Sequence, residues 1–106
     1  MEQREYVRRL LDAYRGTPGT AGVVRRADRL FAAQLHERAV PFEVVVNALT
    51  LAAARRLARP VDAPPLGVIR SLAYFSPVIE EILQTQPSPK YFRHLRQRMA
   101  KLTSAR

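Results

Sequence analysis

The sequence predicts an all-α fold, namely a compact bundle of five helices, or of six if one proline breaks a helix completely. Three observations support this fold class. Apolar residues recur at three- and four-residue spacing through most of the chain, as they do along helix faces. Clusters of proline and glycine separate these stretches. The 106 residues, of which 47% are hydrophobic, suit one domain (1–106) with a real core.

Two helices are expected in the first third of the chain. The first covers residues 2–15, and its apolar stripe comprises Tyr6, Val7, Leu10, Leu11 and Tyr14. After a turn at residues 16–19, Thr20 is suited to cap a second helix that runs to about Arg38. The expected stripe of this helix comprises Val23, Val24, Ala27, Leu30, Phe31, Gln34 and Leu35. Since only Ala39 and Val40 follow, the second and third helices should pack as an antiparallel or angled hairpin.

Residues 41–59 predict the central helix of the bundle. Pro41 suits the first helical position, Glu43 places a carboxylate in the positive first turn, and Pro60 ends the helix. Apolar residues cover most of its circumference, which is typical of a helix buried among its neighbours. The remaining strip, which could face water or a partner, comprises Glu43, Asn47, Thr50 and Ala54.

The second half of the chain is divided by prolines. Residues 60–65 form a stiff loop, and helical spacing resumes from Leu66 to Phe75. Ser76-Pro77 then predicts a break and a new helix to about Gln84, because proline lacks the backbone donor that the helix needs. Ser88-Pro89 repeats this start for a last helix that runs to about Leu102. The apolar stripe of the last helix comprises Tyr91, Phe92, Leu95, Met99 and Leu102.

The charge of the chain is the strongest functional signal. The net charge is +9, and residues 87–106 contribute six basic residues and no acidic one. This segment predicts a basic amphipathic C-terminal helix that docks by its apolar stripe and presents cations to phosphates. The cations are Lys90, Arg93, Arg96, Arg98 and Lys101, with Arg106 beyond them. A solvated helix that only aids solubility and a helix lying on a membrane surface are the alternatives.

A second basic patch is expected at one end of the predicted hairpin. Arg25, Arg26 and Arg29 begin the second helix, and Arg55, Arg56 and Arg59 end the third. In an antiparallel hairpin these two ends coincide, so the six guanidinium groups could form one phosphate site. Decoration of two separate helix surfaces is the alternative.

No catalytic, cofactor or metal motif is present. The chain has no cysteine, which excludes disulfides and cysteine-based zinc sites and fits a reducing cytoplasm. His36 and His94 lack the paired spacing of a metal site, and no serine has a nucleophile-elbow context. We therefore expect neither an enzyme nor a bound cofactor. No apolar run reaches the roughly 20 residues of a membrane span, and the charged N-terminus is unlike a signal peptide.

The stretch from Leu35 to Leu49 has the cadence of a helix-turn-helix motif. Its turn carries Ala39 where glycine is usual, and its second helix offers only Glu43, Asn47 and Thr50 to base edges. A core helix is the favoured interpretation of this stretch.

Three segments carry a resemblance to a group of known proteins. They are residues 70–81 (RSLAYFSPVIEE), 26–29 (RADR) and 52–56 (AAARR). Over roughly residues 6–95 the chain resembles short basic helical proteins of bacterial mobile-element and replication gene neighbourhoods. This resemblance implies a DNA-associated accessory role and no particular activity.

The sequence therefore predicts a non-enzymatic, cytoplasmic nucleic-acid-binding protein, with DNA favoured over RNA. The alternative is a protein-interaction or oligomerisation module with an acidic partner protein or a second copy of the chain. An exposed apolar strip at Val44, Ala48 and Leu51 would favour that alternative.

Overall fold

Five α-helices make up the computed structural model, which describes residues 1–104. The helices are α1 (Gln3–Arg15), α2 (Arg26–Glu37), α3 (Phe42–Leu57), α4 (Ser76–Thr85) and α5 (Pro89–Ser104). A 3-10 turn, Leu72–Phe75, leads directly into α4. These 104 residues include no β-strand, so the prediction of an all-α bundle is confirmed. None of the five helices is long and apolar enough to cross a membrane.

The central position of α3 is confirmed. Helices α1, α4 and α5 all pack against it, whereas α2 packs mainly against α1. Pro41 is the N-cap of α3, and Ala58 is its C-cap. The buried residues of α3 are Val45, Ala48, Leu49, Leu51, Ala52, Ala53 and Ala54. Ala54 was expected on the exposed strip, and its burial shows that α3 is covered on more sides than its polar residues suggested.

Helix α1 follows its predicted stripe closely. Tyr6, Leu10, Leu11 and Tyr14 are all buried. The Glu2 carboxylate accepts a hydrogen bond from the Glu5 N–H at 2.7 Å and so caps the first turn. The Tyr6 hydroxyl donates to the Val40 carbonyl at 2.9 Å, which ties α1 to the connection between α2 and α3.

The predicted start of the second helix at Thr20 is wrong, because α2 begins at Arg26. The backbone of residues 19–21 instead pairs with Ile69: the Ala21 N–H donates to the Ile69 carbonyl at 2.9 Å, and the Ile69 N–H donates to the Gly19 carbonyl at 2.8 Å. Gly19 also has a φ of +93°, which lies outside the range of a right-handed helix. The hydrogen bonds to Ile69 therefore use backbone groups that a helix starting at Thr20 would need for its own hydrogen bonds.

The predicted stripe of the second helix is also displaced. Val23 and Leu30 were assigned to the core and are 55% and 53% exposed, and Ala27 and Gln34 are exposed as well. The face that packs inward carries Asp28, Ala32 and Leu35, with Phe31 half-buried beside it. A carboxylate lies on the buried face of α2 because backbone donors are available to it there.

Helices α2 and α3 do not form the expected hairpin. The extensive contacts of α2 are with α1 and the 3-10 turn, while α3 contacts α1, α4 and α5. Between them, Ala39 adopts a left-handed φ of 59°, and the Val40 N–H donates to the Leu35 carbonyl at 3.0 Å. This turn ends α2 and sends α3 away from it.

The α-helix predicted from Leu66 to Phe75 is absent. Residues 66–71 are not helical, Leu66 and Val68 are about half exposed, and only residues 72–75 form a 3-10 turn. Pro64, Pro65 and Gly67 disfavour helix, and Ile69 and Leu72 give their N–H groups to distant acceptors. The break at Ser76-Pro77 is confirmed, because α4 starts there as a separate helix with proline in its first turn.

Helix α5 starts at Pro89 as predicted. The Ser88 hydroxyl accepts from the Tyr91 N–H at 3.2 Å, which is the expected cap. Phe92 is buried, Leu95 and Met99 are half-buried, and Tyr91 and Leu102 are exposed. Helix α5 packs against α3 through this narrow apolar side. Arg106 of the basic C-terminal segment lies outside the described residues.

Candidate nucleic-acid interface

The outward side of α5 carries a row of exposed cations. At about 100° per residue, Lys90 and Lys101 lie on the side of the helix opposite Phe92. Arg93 and Arg98 lie on either flank of those lysines. The side chains of these four residues are exposed. We call them the α5 cation face.

Within residues 1–104, the α5 cation face has no carboxylate partners. The five ion pairs within residues 1–104 are Arg8–Asp12, Arg9–Glu5, Arg15–Asp12, Arg38–Glu80 and Arg55–Glu81. None of them includes a residue of α5. Since α5 also has no acidic residue, its positive charge is not neutralised locally.

Arg96 belongs to the docked side of α5. Its guanidinium donates to the Asn47 side-chain oxygen of α3 at 2.6 Å. It was predicted to reach phosphates without disturbing that side. The bond to Asn47 instead makes it part of the α3–α5 contact.

Arg55 is held by α4. Its guanidinium makes a two-pronged contact with the Glu81 carboxylate, at 2.9 Å and 2.5 Å. This hydrogen bonding raises the pKa of Arg55 and lowers the pKa of Glu81. Arg38 donates a single hydrogen bond to the Glu80 carboxylate at 2.9 Å. Glu80 and Glu81 therefore pair with arginines of neighbouring segments.

Arg56 fastens the loop that follows α3. Its guanidinium donates to the Gly67 carbonyl at 2.8 Å and to the Tyr74 hydroxyl at 3.3 Å. It also lies 5.9 Å from the centroid of the Tyr74 ring. Its Nε lies 3.0 Å from where a side chain at Gly19 would begin, so glycine is needed there for this close approach. Arg59 lies beside Arg56 and lines the same grooves.

The three arginines at the start of α2 are exposed. Arg29 lines a groove between α1 and α2 together with Arg4, Arg8 and Arg15. Arg25 and Arg26 occupy the N-cap and the first position of α2. The hairpin that was to unite these residues with Arg55, Arg56 and Arg59 is not formed. Without that hairpin, the single six-arginine patch stays a prediction.

Helix α3 is a core helix rather than a base-reading one. Its inward residues are buried against three other helices. Of the residues that could have read bases, Asn47 accepts from Arg96, and Thr50 donates to the Val46 carbonyl at 3.1 Å. Glu43 alone of the three stays exposed. The pattern that resembles a helix-turn-helix motif therefore comes from the left-handed turn at Ala39, and α3 is not exposed as a recognition helix.

The histidines have separate surroundings. The His36 ring contacts the Tyr6 ring edge-on at 5.1 Å and shares a hydrogen bond with the Met1 carbonyl. His94 lies beside Lys90 and Arg93 on the surface of α5. In the described chain no three His, Asp or Glu side chains come together as metal ligands would.

Tyr74 and Tyr91 are each 46% exposed, although the sequence favoured a core position over a base-stacking role for both. Each directly precedes a phenylalanine that is buried, Phe75 or Phe92. The repeated Tyr-Phe pair was the available signal, since adjacent residues on a helical turn point about 100° apart.

Comparison with known proteins finds no matching family model, and no similar curated protein or solved structure.

Proposed function

We propose that this protein binds nucleic acid, without enzymatic activity, through phosphate contacts from the α5 cation face. DNA is favoured over RNA because the chain resembles proteins of mobile-element and replication gene neighbourhoods. Sequence-specific readout is not part of the proposal, because α3 is buried and its polar residues already have partners.

One observation carries this proposal: within residues 1–104 no cation of α5 has a carboxylate partner and α5 has no acidic residue, whereas five arginines elsewhere pair with Asp or Glu. A paired guanidinium contributes little net charge at its surface, and a phosphate must compete with the carboxylate to reach it. Unpaired Lys and Arg side chains attract the phosphate backbone directly and release its counterions on binding. The α5 cation face is therefore the surface best suited to a polyanion.

Other basic residues contribute to different degrees. Arg25, Arg26, Arg29 and Arg59 have no carboxylate partner among residues 1–104 and add to the positive field. Arg55, Arg56 and Arg96 hold intramolecular hydrogen bonds, so they are expected to support the fold first. We accordingly give Lys90, Arg93, Arg98 and Lys101 the direct phosphate contacts.

Charge removal at two places tests the proposal. The triple variant Arg93→Gln, Arg98→Gln and Lys101→Gln removes three positive charges from the α5 cation face. The matched control Arg4→Gln, Arg8→Gln and Arg9→Gln removes the same charge from α1, where Arg8 and Arg9 are paired. Binding of labelled single- and double-stranded DNA and RNA is measured at low salt by fluorescence anisotropy.

The α5 triple variant should weaken binding by about 30-fold or more, and the α1 control by less than about fivefold. Equal losses in both variants would mean that only net charge matters, and the α5 assignment would be wrong. Failure of the unchanged protein to bind any nucleic acid would remove the proposal altogether.

A protein partner is the second candidate function, and one observation favours it. The strip at Val44, Ala48 and Leu51 does not support it, because Ala48 and Leu51 are buried. However, Val61, Leu66 and Val68 on the loop after α3 are exposed, and Arg59 lies beside Val61 and Leu66. Exposed apolar residues next to a cation suit an acidic protein segment. This candidate becomes the better one if no nucleic acid is bound.

A further inference from the structure

Tyr74 and Tyr91 are both exposed next to a buried phenylalanine. The ring of Tyr74 meets the buried Phe75 edge-on, with centroids 5.2 Å apart and an interplanar angle of 81°. The ring of Tyr91 meets the buried Phe92 with the same distance and angle. In each pair the buried phenylalanine packs against the adjacent tyrosine and orients its ring, which stays partly exposed.

Each exposed tyrosine also lies next to cations. Tyr91 lines a surface cavity of about 640 Å³ together with Lys90, Arg93 and His94. Tyr74 lines one of about 410 Å³ together with Arg55, Arg56 and Arg59. Neither of these two cavities is lined by an acidic residue. Each of these two cavities therefore brings an exposed aromatic ring together with cations.

Tyr74 lies at the last turn of α3, against Arg56, with the guanidinium 5.9 Å from its ring centroid. Tyr91 lies in the first turn of α5, next to Lys90 of the α5 cation face. Each ring is therefore placed beside cations of its own helix or of the helix that it contacts.

We infer that Tyr74 and Tyr91 stack against unpaired bases, and that the nucleic acid bound here is single-stranded. This inference rests on the proposed function and specifies its ligand. Proteins that bind single strands combine a cationic surface for the backbone with aromatic side chains on which bases stack. In a duplex the base faces are covered by their neighbours, so these rings have nothing to stack on without unstacking the helix. Lys90 and Arg93 beside Tyr91, and Arg59 beside Tyr74, meet the flanking phosphates.

The first test compares strand types with side-chain variants. An oligothymidylate of about 12 nucleotides and a duplex of the same length serve as probes. The double variant Tyr74→Leu and Tyr91→Leu should bind the single strand about 100-fold more weakly, since loss of one stacking contact costs about tenfold. Its affinity for the duplex should stay within about threefold of the unchanged protein. The double variant Tyr74→Phe and Tyr91→Phe keeps both rings and should retain single-strand binding. Melting temperatures verify that all variants are folded.

The second test uses intrinsic fluorescence. The chain has four tyrosines and no tryptophan, so tyrosine emission can be observed directly. Stacking on a base should quench the emission of the unchanged protein. The double phenylalanine variant retains only the buried Tyr6 and Tyr14, and should bind the single strand with little quenching.

The outcomes separate this inference from the proposed function. Unchanged single-strand affinity in the double leucine variant, or the same quenching in the double phenylalanine variant, would overturn the stacking role while phosphate binding stands. Tighter binding to the duplex than to the single strand would likewise overturn it. Only the absence of all binding would remove the proposed function as well.

Discussion

Asp28 connects three parts of the fold through one buried carboxylate. It is the only charged side chain that is buried in the described part of the chain. One oxygen accepts from the Arg25 N–H at 2.8 Å and fixes the start of α2. The other accepts from the Leu72 N–H at 2.9 Å and fixes the 3-10 turn. Burial, with a smaller effect from Asp28, raises the pKa of Tyr14, so α1 is also within reach of this charge.

Replacing Asp28 by alanine should destabilise the fold by about 2–4 kcal/mol, because the buried Leu72 N–H loses its acceptor and α2 loses its cap. Chemical denaturation measures the free energy of unfolding. Asp12→Ala is the control, since Asp12 makes only exposed ion pairs and should cost less than about 1 kcal/mol. Equal effects of the two changes would show that the Asp28 bonds do not stabilise the fold.

The Arg55–Glu81 pair predicts a dependence of stability on pH. Hydrogen bonding to Arg55 lowers the pKa of Glu81 from its ordinary value of 4.5. The folded state therefore favours the ionised carboxylate, so its contribution is present above that value and is lost as pH falls through the lowered pKa. Glu81→Gln should reduce the melting temperature at pH 7 and reduce it by less at acidic pH, since the effect is lost as pH falls through the lowered pKa of Glu81. A reduction that is the same at both pH values would contradict this account.

At the scale of elements, the local signals in the sequence were reliable where a helix is stabilised by its own neighbours. Ser88-Pro89 started α5, Ser76-Pro77 separated α4, and the stripe of α1 was correct, because caps, proline and helical spacing act over a few residues. The segments that failed have their backbone bonds made at long range. Residues 19–21 pair with Ile69, and Leu72 donates to Asp28. No local pattern encodes those partners.

The central and second helices offer a matched pair of leucine variants. Leu49→Ala in α3 should destabilise the fold by about 2–5 kcal/mol, because Leu49 is 3% exposed and its loss leaves a cavity. Leu30→Ala in α2 should cost less than about 1 kcal/mol, because Leu30 is 53% exposed although the spacing assigned it to the core. Thermal or denaturant unfolding distinguishes them. A loss at Leu30 as large as that at Leu49 would mean that α2 packs by its predicted stripe.

At the scale of the whole molecule, the distribution of charge depends on which cations find carboxylates. The sequence located the excess in residues 87–106, since this needs only counting. It did not reveal that Glu80 and Glu81 pair with Arg38 and Arg55, or that Arg96 bonds Asn47. These contacts depend on how α3, α4 and α5 pack together. They separate Arg38, Arg55 and Arg96, which have intramolecular partners, from the α5 cation face, which has no carboxylate partner within residues 1–104.

The salt dependence of binding tests the central claim most directly. If four or five phosphates are neutralised, a plot of log K against log salt should have a slope of about −3 to −5. The variant that lacks Arg93, Arg98 and Lys101 should have a slope shallower by about 2 to 3, because three phosphate contacts are lost. The control variant at Arg4, Arg8 and Arg9 should keep the original slope. A slope near zero, or one that the α5 changes leave unaltered, would contradict the assignment of phosphate binding to the α5 cation face.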